Sequence, residues 1–224
     1  GTTLHECGHA LHAYLSFQAH PSMWNHVGPD EFQEFIAVAL DMLCWPYYEQ
    51  AQGGPYSAKE IAAARREDIL HGYLEVTAWG VMEDAFEHWV YGDAPEDVTP
   101  KDLDAKWLEL KRRFMPWEVP EKMTARSELE VMTGWQRWNW SLFRMPLYTI
   151  AYAIDTIAVF LLGRQLQSDR TSVIANYKAA LSLGNTKPVT ELFSAAGVPF
   201  PLSRQDVADA LEFALDEYAK LAKQ

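Results

Sequence analysis

Apolar side chains recur three and four positions apart through almost the whole chain, and sustained alternation with period two is nearly absent. A strand needs that alternation and an amphipathic helix needs the other spacing, so the pattern predicts an all-α, multi-helix bundle. Several helix starts are marked. Ser57-Ala-Lys-Glu60 reads as a capping box opening a helix that runs to about Tyr91, Thr99 stands before Pro100 at a first helical position, and Ser203 caps the last helix. Breaks are expected at 21–29, 52–55, 92–95, 116–120 and 197–201, where proline and glycine gather. No repeat or low-complexity tract interrupts this order, and 224 residues fit one domain.

The run from Met145 to Leu162 approaches the length of a membrane span. Asp155 in its middle, Pro146 at its start and two tyrosines argue instead for a helix buried inside a bundle, because a charge at the centre of a bilayer costs several kcal/mol. The net charge of −12, from 31 acidic and 19 basic side chains, leaves no basic patch for nucleic acid or an anionic membrane. Only Cys7 and Cys44 are present, so no disulfide framework is expected and a reducing compartment, the cytoplasm, fits best. The chain opens at Gly1, four residues before a candidate metal ligand and without a signal-like segment. It reads as a fragment, with targeting signals and the residues that complete the first helical turn expected upstream.

His5-Glu6-Cys7-Gly8-His9 places two imidazoles four residues apart, where a helix projects them from one face toward a single Zn²⁺. Glu6 stands between them, and its carboxylate can take a proton from a zinc-bound water attacking a peptide carbonyl and pass it to the leaving amine. A catalytic zinc needs a third protein ligand and an open position. A third histidine in the metzincin pattern is excluded, since that pattern requires glycine at position 12 and histidine at position 15, where this chain has His12 and Leu15. His12 is a possible ligand, but three successive turns of a straight helix do not easily wrap one ion, so it reads better as a supporting or packing residue. The segment 30–41 offers Glu31 and Glu34. Glu34 is favoured because Phe35, Ile36 and Val38 pack its turn against a core, whereas an acid at Glu31 suits the dipole of a first helical turn. Asp41, two turns after Glu34, could orient a ligating histidine. The alternative for the whole segment is a solvated acidic stripe.

Together these residues resemble the thimet oligopeptidase and oligoendopeptidase F family of zinc peptidases, and more closely its oligoendopeptidase F branch. His5-Glu-Cys-Gly-His-Ala-Leu-His12 is similar to the family's zinc helix, and Glu34 follows His5 at the spacing of the family's third ligand. Ala85-Phe-Glu-His-Trp-Val-Tyr91, the segment 105–114, Ala180-Leu-Ser-Leu-Gly184 and the segment 191–197 resemble later helices of that branch. The resemblance implies one Zn²⁺ per chain held by His5, His9 and Glu34, oligopeptide substrates, and a cleft completed by an N-terminal half. It also implies that a tyrosine of the 146–152 segment faces the zinc. Tyr152 is favoured over Tyr148, which stands close to the helix start; a phenol there can donate to the oxyanion of the tetrahedral intermediate.

Two departures from the family pattern stand out. Phe35-Ile36-Ala37 replaces the usual proline and serine after the ligand glutamate, and Ser141 occupies a usual histidine position. His26, His71 and His88 lack ligand spacing, and Trp135, Trp138 and Trp140 read as packing rather than as a substrate platform. The leading expectation is a zinc-dependent endopeptidase. Its rivals are a noncatalytic peptide-binding or truncated, inactive member of the same family, and a metal-free structural bundle. Leu11, Tyr14, Leu15 and Phe17 on the first helix suggest an apolar face through which the chain could form a homodimer.

Overall fold

The structure, a computed structural model, describes residues 2–223. Its α-helices are α1 (Thr2–Ala19), α2 (Asp30–Cys44), α3 (Ala58–Glu67), α4 (Val76–His88), α5 (Pro100–Phe114) and α6 (Ala125–Met132), followed by α7 (Asn139–Arg144), α8 (Ile150–Leu166), α9 (Arg170–Leu183), α10 (Val189–Ala195) and α11 (Arg204–Leu221). Among the described residues there is no β-strand, only an isolated bridge between Glu49 and Tyr56. The all-α expectation holds. The anticipated caps form as well: Ser57 with Glu60, and Ser203 with Asp206, make reciprocal capping boxes, and the Thr99 backbone N–H donates to Asp102 at 2.9 Å. The run expected from Ser57 to about Tyr91 is helical throughout but not uniformly α, because Asp68–Glu75 and Trp89–Asp93 are wider π-helical turns. None of the described helices is long and apolar enough to cross a membrane.

The chain divides into two compact units, one built from residues up to Tyr73 and from Ile154 onward, the other from Leu74–Ala153. In the first, α2 supplies the buried Phe32, Phe35, Ile36, Ala37 and Ala39. Phe193 of α10 stacks on Phe35 with ring centroids 4.7 Å apart, and Tyr177 of α9 donates its hydroxyl to the Ile36 carbonyl at 2.7 Å. Within the part of α8 that lies in this unit, Ala158 to Leu162 are buried on every side, which accounts for their continuous apolar sequence. Asp155, one turn earlier, is buried with them. In the second unit Met82, Phe86, Trp107, Leu110, Met115 and Leu142 form one apolar cluster. Trp135 packs against that cluster and donates its indole N–H to Asp104 at 2.8 Å. Trp138 and Trp140 are about half exposed, so packing accounts for only part of their surface.

The approach of α1 to α2 is set by small residues. A Cβ on Gly8 would stand 2.5 Å from Ala37 Cα, closer than real side chains allow, so only glycine fits at this crossing. Gly184, after α9, has φ +53 and is close to the Asn25 carbonyl, which accepts the Asn185 N–H at 2.9 Å. This ties the loop after α1 to the end of α9. Alanine is the better helix former by about 1 kcal/mol, yet Gly8→Ala is expected to lower stability by about 1–3 kcal/mol, because the new methyl must push α1 off α2. Urea denaturation measures this, and a stabilised variant would show that the two helices part without cost.

Candidate metal centre

The crossing at Gly8 and Ala37 brings three polar side chains together. His5 and His9 flank Gly8 on α1, and Glu34 lies three residues before Ala37 on the same face of α2. His5 Nε2 stands 3.2 Å from His9 Nε2 and 3.3 Å from Glu34 Oε2, and His9 Nε2 is 4.0 Å from Glu34 Oε1. These donors lie within 4.8 Å of one another, and among the described residues no other group of three histidine, cysteine or carboxylate side chains does so. Donors arranged tetrahedrally at about 2.0–2.1 Å from a zinc ion stand about 3.3 Å apart, so two imidazoles and a carboxylate at these separations fit one Zn²⁺ and leave a fourth position open. The side chains remain partly exposed, His5 at 27% and His9 at 30%, so a ligand can reach them. The Glu34 carboxylate beside His5 holds that imidazole above its ordinary pKa range, with burial acting in the opposite sense and Glu6 and Asp41 adding smaller attractions.

Glu6 is exposed on the turn that carries the two histidines. Glu31, the rival to Glu34, is not part of the cluster. Asp41 is buried and accepts the Tyr48 hydroxyl at 3.2 Å, while its charge acts on His5. Burial and the neighbouring Asp41 both push the Tyr48 phenol up. His12 turns away from the cluster into the packing, edge-on to Phe32 at 5.6 Å between ring centroids, with Nε2 buried and unpartnered. Burial, reinforced by His9, lowers its pKa to about 4, so His12 is neutral at ordinary pH.

Residues 1–212 match the family model described as Peptidase family M3. The chain belongs to peptidase family M3. Solved structures share its fold. One, assigned as an oligoendopeptidase F, superposes with a TM-score of 0.82 at 24% identity over 97% of this chain and 36% of its own. PZ peptidase A, solved with an inhibitor, gives 0.76 at 21% identity over 99% and 37%. Oligoendopeptidase F from Enterococcus faecium gives 0.68 at 16% identity over 99% and 38%. This M3 chain therefore spans a little over a third of the length of these structures. No match was found among curated proteins.

In this M3 chain Tyr148 precedes α8 and Tyr152 lies in its first turn; their hydroxyls are 3.1 Å apart and their rings are perpendicular. Both belong to the second compact unit. Ser141, at the position where a histidine was expected, is buried and donates to Glu83 at 2.7 Å. His26 bonds the His20 carbonyl, and His71 and His88 sit beside the acids Glu67 and Asp84 one turn earlier.

Three carboxylates passed over as site residues are buried: Glu83 and Glu87 in the second unit, and Asp155 in the first. Only for Asp155 did the sequence carry a signal, a lone acid in an apolar run. Neither of its oxygens has a hydrogen-bond partner, and burial, followed by the charges of Glu34 and Glu31, holds its carboxyl well above the ordinary range. The folded state thus binds a proton that the unfolded state releases above about pH 3.9. The resulting cost is absent below that pH and grows as pH rises toward the folded pKa. Asp155→Asn is expected to raise Tm by an increment that widens from pH 4 to pH 8, read by calorimetry across that range. An increment that stays flat with pH would show that Asp155 keeps its charge in the folded protein.

Proposed function

We propose that this chain carries the zinc-binding part of a metalloendopeptidase acting on oligopeptides. The observation that supports the reading best is the convergence of His5, His9 and Glu34 in a chain of a peptidase family. His5 and His9 would hold the ion through their Nε2 atoms and Glu34 through a carboxylate oxygen. Bound Zn²⁺ would polarise the scissile carbonyl and acidify the attacking water. Glu6, exposed beside the two histidines, takes the proton from that water and delivers it to the leaving amine nitrogen. Asp41, whose charge acts on His5, would support that histidine as a ligand. Tyr152, or Tyr148 bonded to it, donates a hydrogen bond to the oxyanion, a role that rests on the family resemblance.

The substrate cleft in this reading is completed by polypeptide beyond the third of the relatives' length that the chain spans, so that the reading makes the chain the C-terminal portion of a catalytic domain. A noncatalytic member of the family that keeps the metal is the alternative, and the following variants separate the two. Glu34→Ala is expected to weaken Zn²⁺ binding more than the ~10–100-fold typical of losing an outer partner, with Asp41→Asn inside that range. Competition with a chromophoric chelator measures both, and unchanged affinity in Glu34→Ala removes Glu34 from the ligand set. Glu6→Gln is expected to keep zinc affinity within a few fold while peptide cleavage falls by on the order of 10²–10⁴, because an amide keeps the shape but accepts no proton. A quenched oligopeptide assay on a preparation that contains the whole catalytic domain reads the second effect. Equal turnover by parent and Glu6→Gln would remove Glu6 as the base, and no turnover by the zinc-loaded parent favours the noncatalytic alternative.

A further inference from the structure

Glu83 and Glu87 lie four residues apart on α4, at 0% and 1% exposure, in a position where most folds place hydrocarbon. Each has one oxygen engaged, and the second oxygen of Glu87 has no partner. Glu83 Oε1 accepts the Ser141 hydroxyl, while Glu87 Oε1 accepts the backbone N–H of Leu147 at 2.9 Å. Among the described residues Leu147 is the one non-glycine residue with positive φ, at +64°. An L side chain persists in that conformation only where its surroundings hold it there.

The turn at Leu147 leads straight into α8. Tyr148 N–H bonds the Met145 carbonyl at 3.3 Å, Ala151 N–H bonds Tyr148 at 3.1 Å and Tyr152 N–H bonds Thr149 at 3.2 Å. The start of α8 also rests on α4, since a Cβ on Gly80 would stand 2.8 Å from the Thr149 carbonyl oxygen. Gly80, Glu83 and Glu87 follow one another at the spacing of a single helical stripe. That stripe meets the chain from Ser141 through Leu147 to Thr149, just where the two tyrosines take their direction. Stability alone does not account for a carboxyl at 87, whose pKa burial pushes up to about 7. An acceptor for an otherwise unpaired N–H does.

We infer that Glu87 is a positioning residue: by accepting the Leu147 N–H it fixes the left-handed turn that determines where the Tyr148 and Tyr152 hydroxyls stand. The effect on turnover rests on the peptidase reading above; the effect on the hydroxyls does not. A glutamine at 87 still presents an acceptor oxygen and an alanine does not, so the conservative variant separates this role from bulk packing.

The test places 3-fluorotyrosine at 148 or at 152 and records ¹⁹F spectra of this chain as parent, Glu87→Gln and Glu87→Ala, with kcat and KM from a cleaving preparation. Glu87→Gln is expected to match the parent in both resonances. Glu87→Ala is expected to move both, and to lower kcat by on the order of tenfold to a hundredfold with KM changed far less. Adding Leu147→Gly to Glu87→Ala is expected to return the spectra toward the parent, because glycine takes positive φ without help. Unmoved resonances in Glu87→Ala, or a Glu87→Gln spectrum as disturbed as that of Glu87→Ala, would overturn the inference. Should Glu87→Ala fail to fold, the comparison passes to Glu87→Gln and the double variant, and an altered Glu87→Gln spectrum still overturns it. The expected spectra together with full activity in Tyr148→Phe and Tyr152→Phe would uphold the positioning role and remove the tyrosines from the peptidase reading instead.

Discussion

Everything at the candidate centre depends on how closely two helix backbones can approach. Helix axes commonly pack about 8–10 Å apart, a distance fixed by the side chains at the contact. At the crossing of α1 and α2 those side chains are a hydrogen atom on Gly8 and a methyl group on Ala37. A larger residue at either place would widen the gap between the His5 and His9 turn and the Glu34 turn. The reach from imidazole to carboxylate, now 3.3 Å at His5, would widen with it. Around this contact the rest of the first unit acts as a clamp, with Phe32 and Phe35 packed on Phe193 behind α2 and the Tyr177 hydroxyl bonded to the Ile36 carbonyl.

Much of this arrangement is legible in the sequence because it is local. Three-and-four spacing, capping boxes at Ser57 and Ser203, and proline and glycine breaks report hydrogen bonds made within a few residues, and these elements form as read. The pair His5 and His9 is legible for the same reason. What escapes is what tertiary packing decides. The π-helical turns at Asp68–Glu75 and Trp89–Asp93 carry no local signature, since the same residues could continue an α-helix. Glu83 and Glu87 look like a solvated face until the 141–149 segment covers them. Ser141 reads as the loss of a histidine, yet its hydroxyl closes a buried hydrogen bond to one of those acids. The passages between the two compact units fall inside helical stretches, near Tyr73 and Ala153, so no linker composition marks them.

Buried acids are a recurring cost in this molecule. The charge of Asp41 acts on His5, that of Glu34 acts on Asp155, and in the second unit Glu83 and Glu87 accept from Ser141 and Leu147. A chain shaped for stability alone would place hydrocarbon at such positions. Within each unit taken by itself the acids accompany residues with candidate chemical roles, as expected where stability is given up to aim side chains.

The two-helix origin of the donors has a further consequence for motion. Gly8 weakens α1 as a helix in its own right, so α1 owes much of its order to its seat on α2 and α9. In the proposed reading, an ion held by His5 and His9 from one helix and Glu34 from the other would act as a rivet between them, and its binding free energy would add to the work of lifting α1 away. Chelation would then leave global unfolding largely in place while amide hydrogens of α1 exchange faster and its backbone opens to proteases, a local loosening at the edge of the fold.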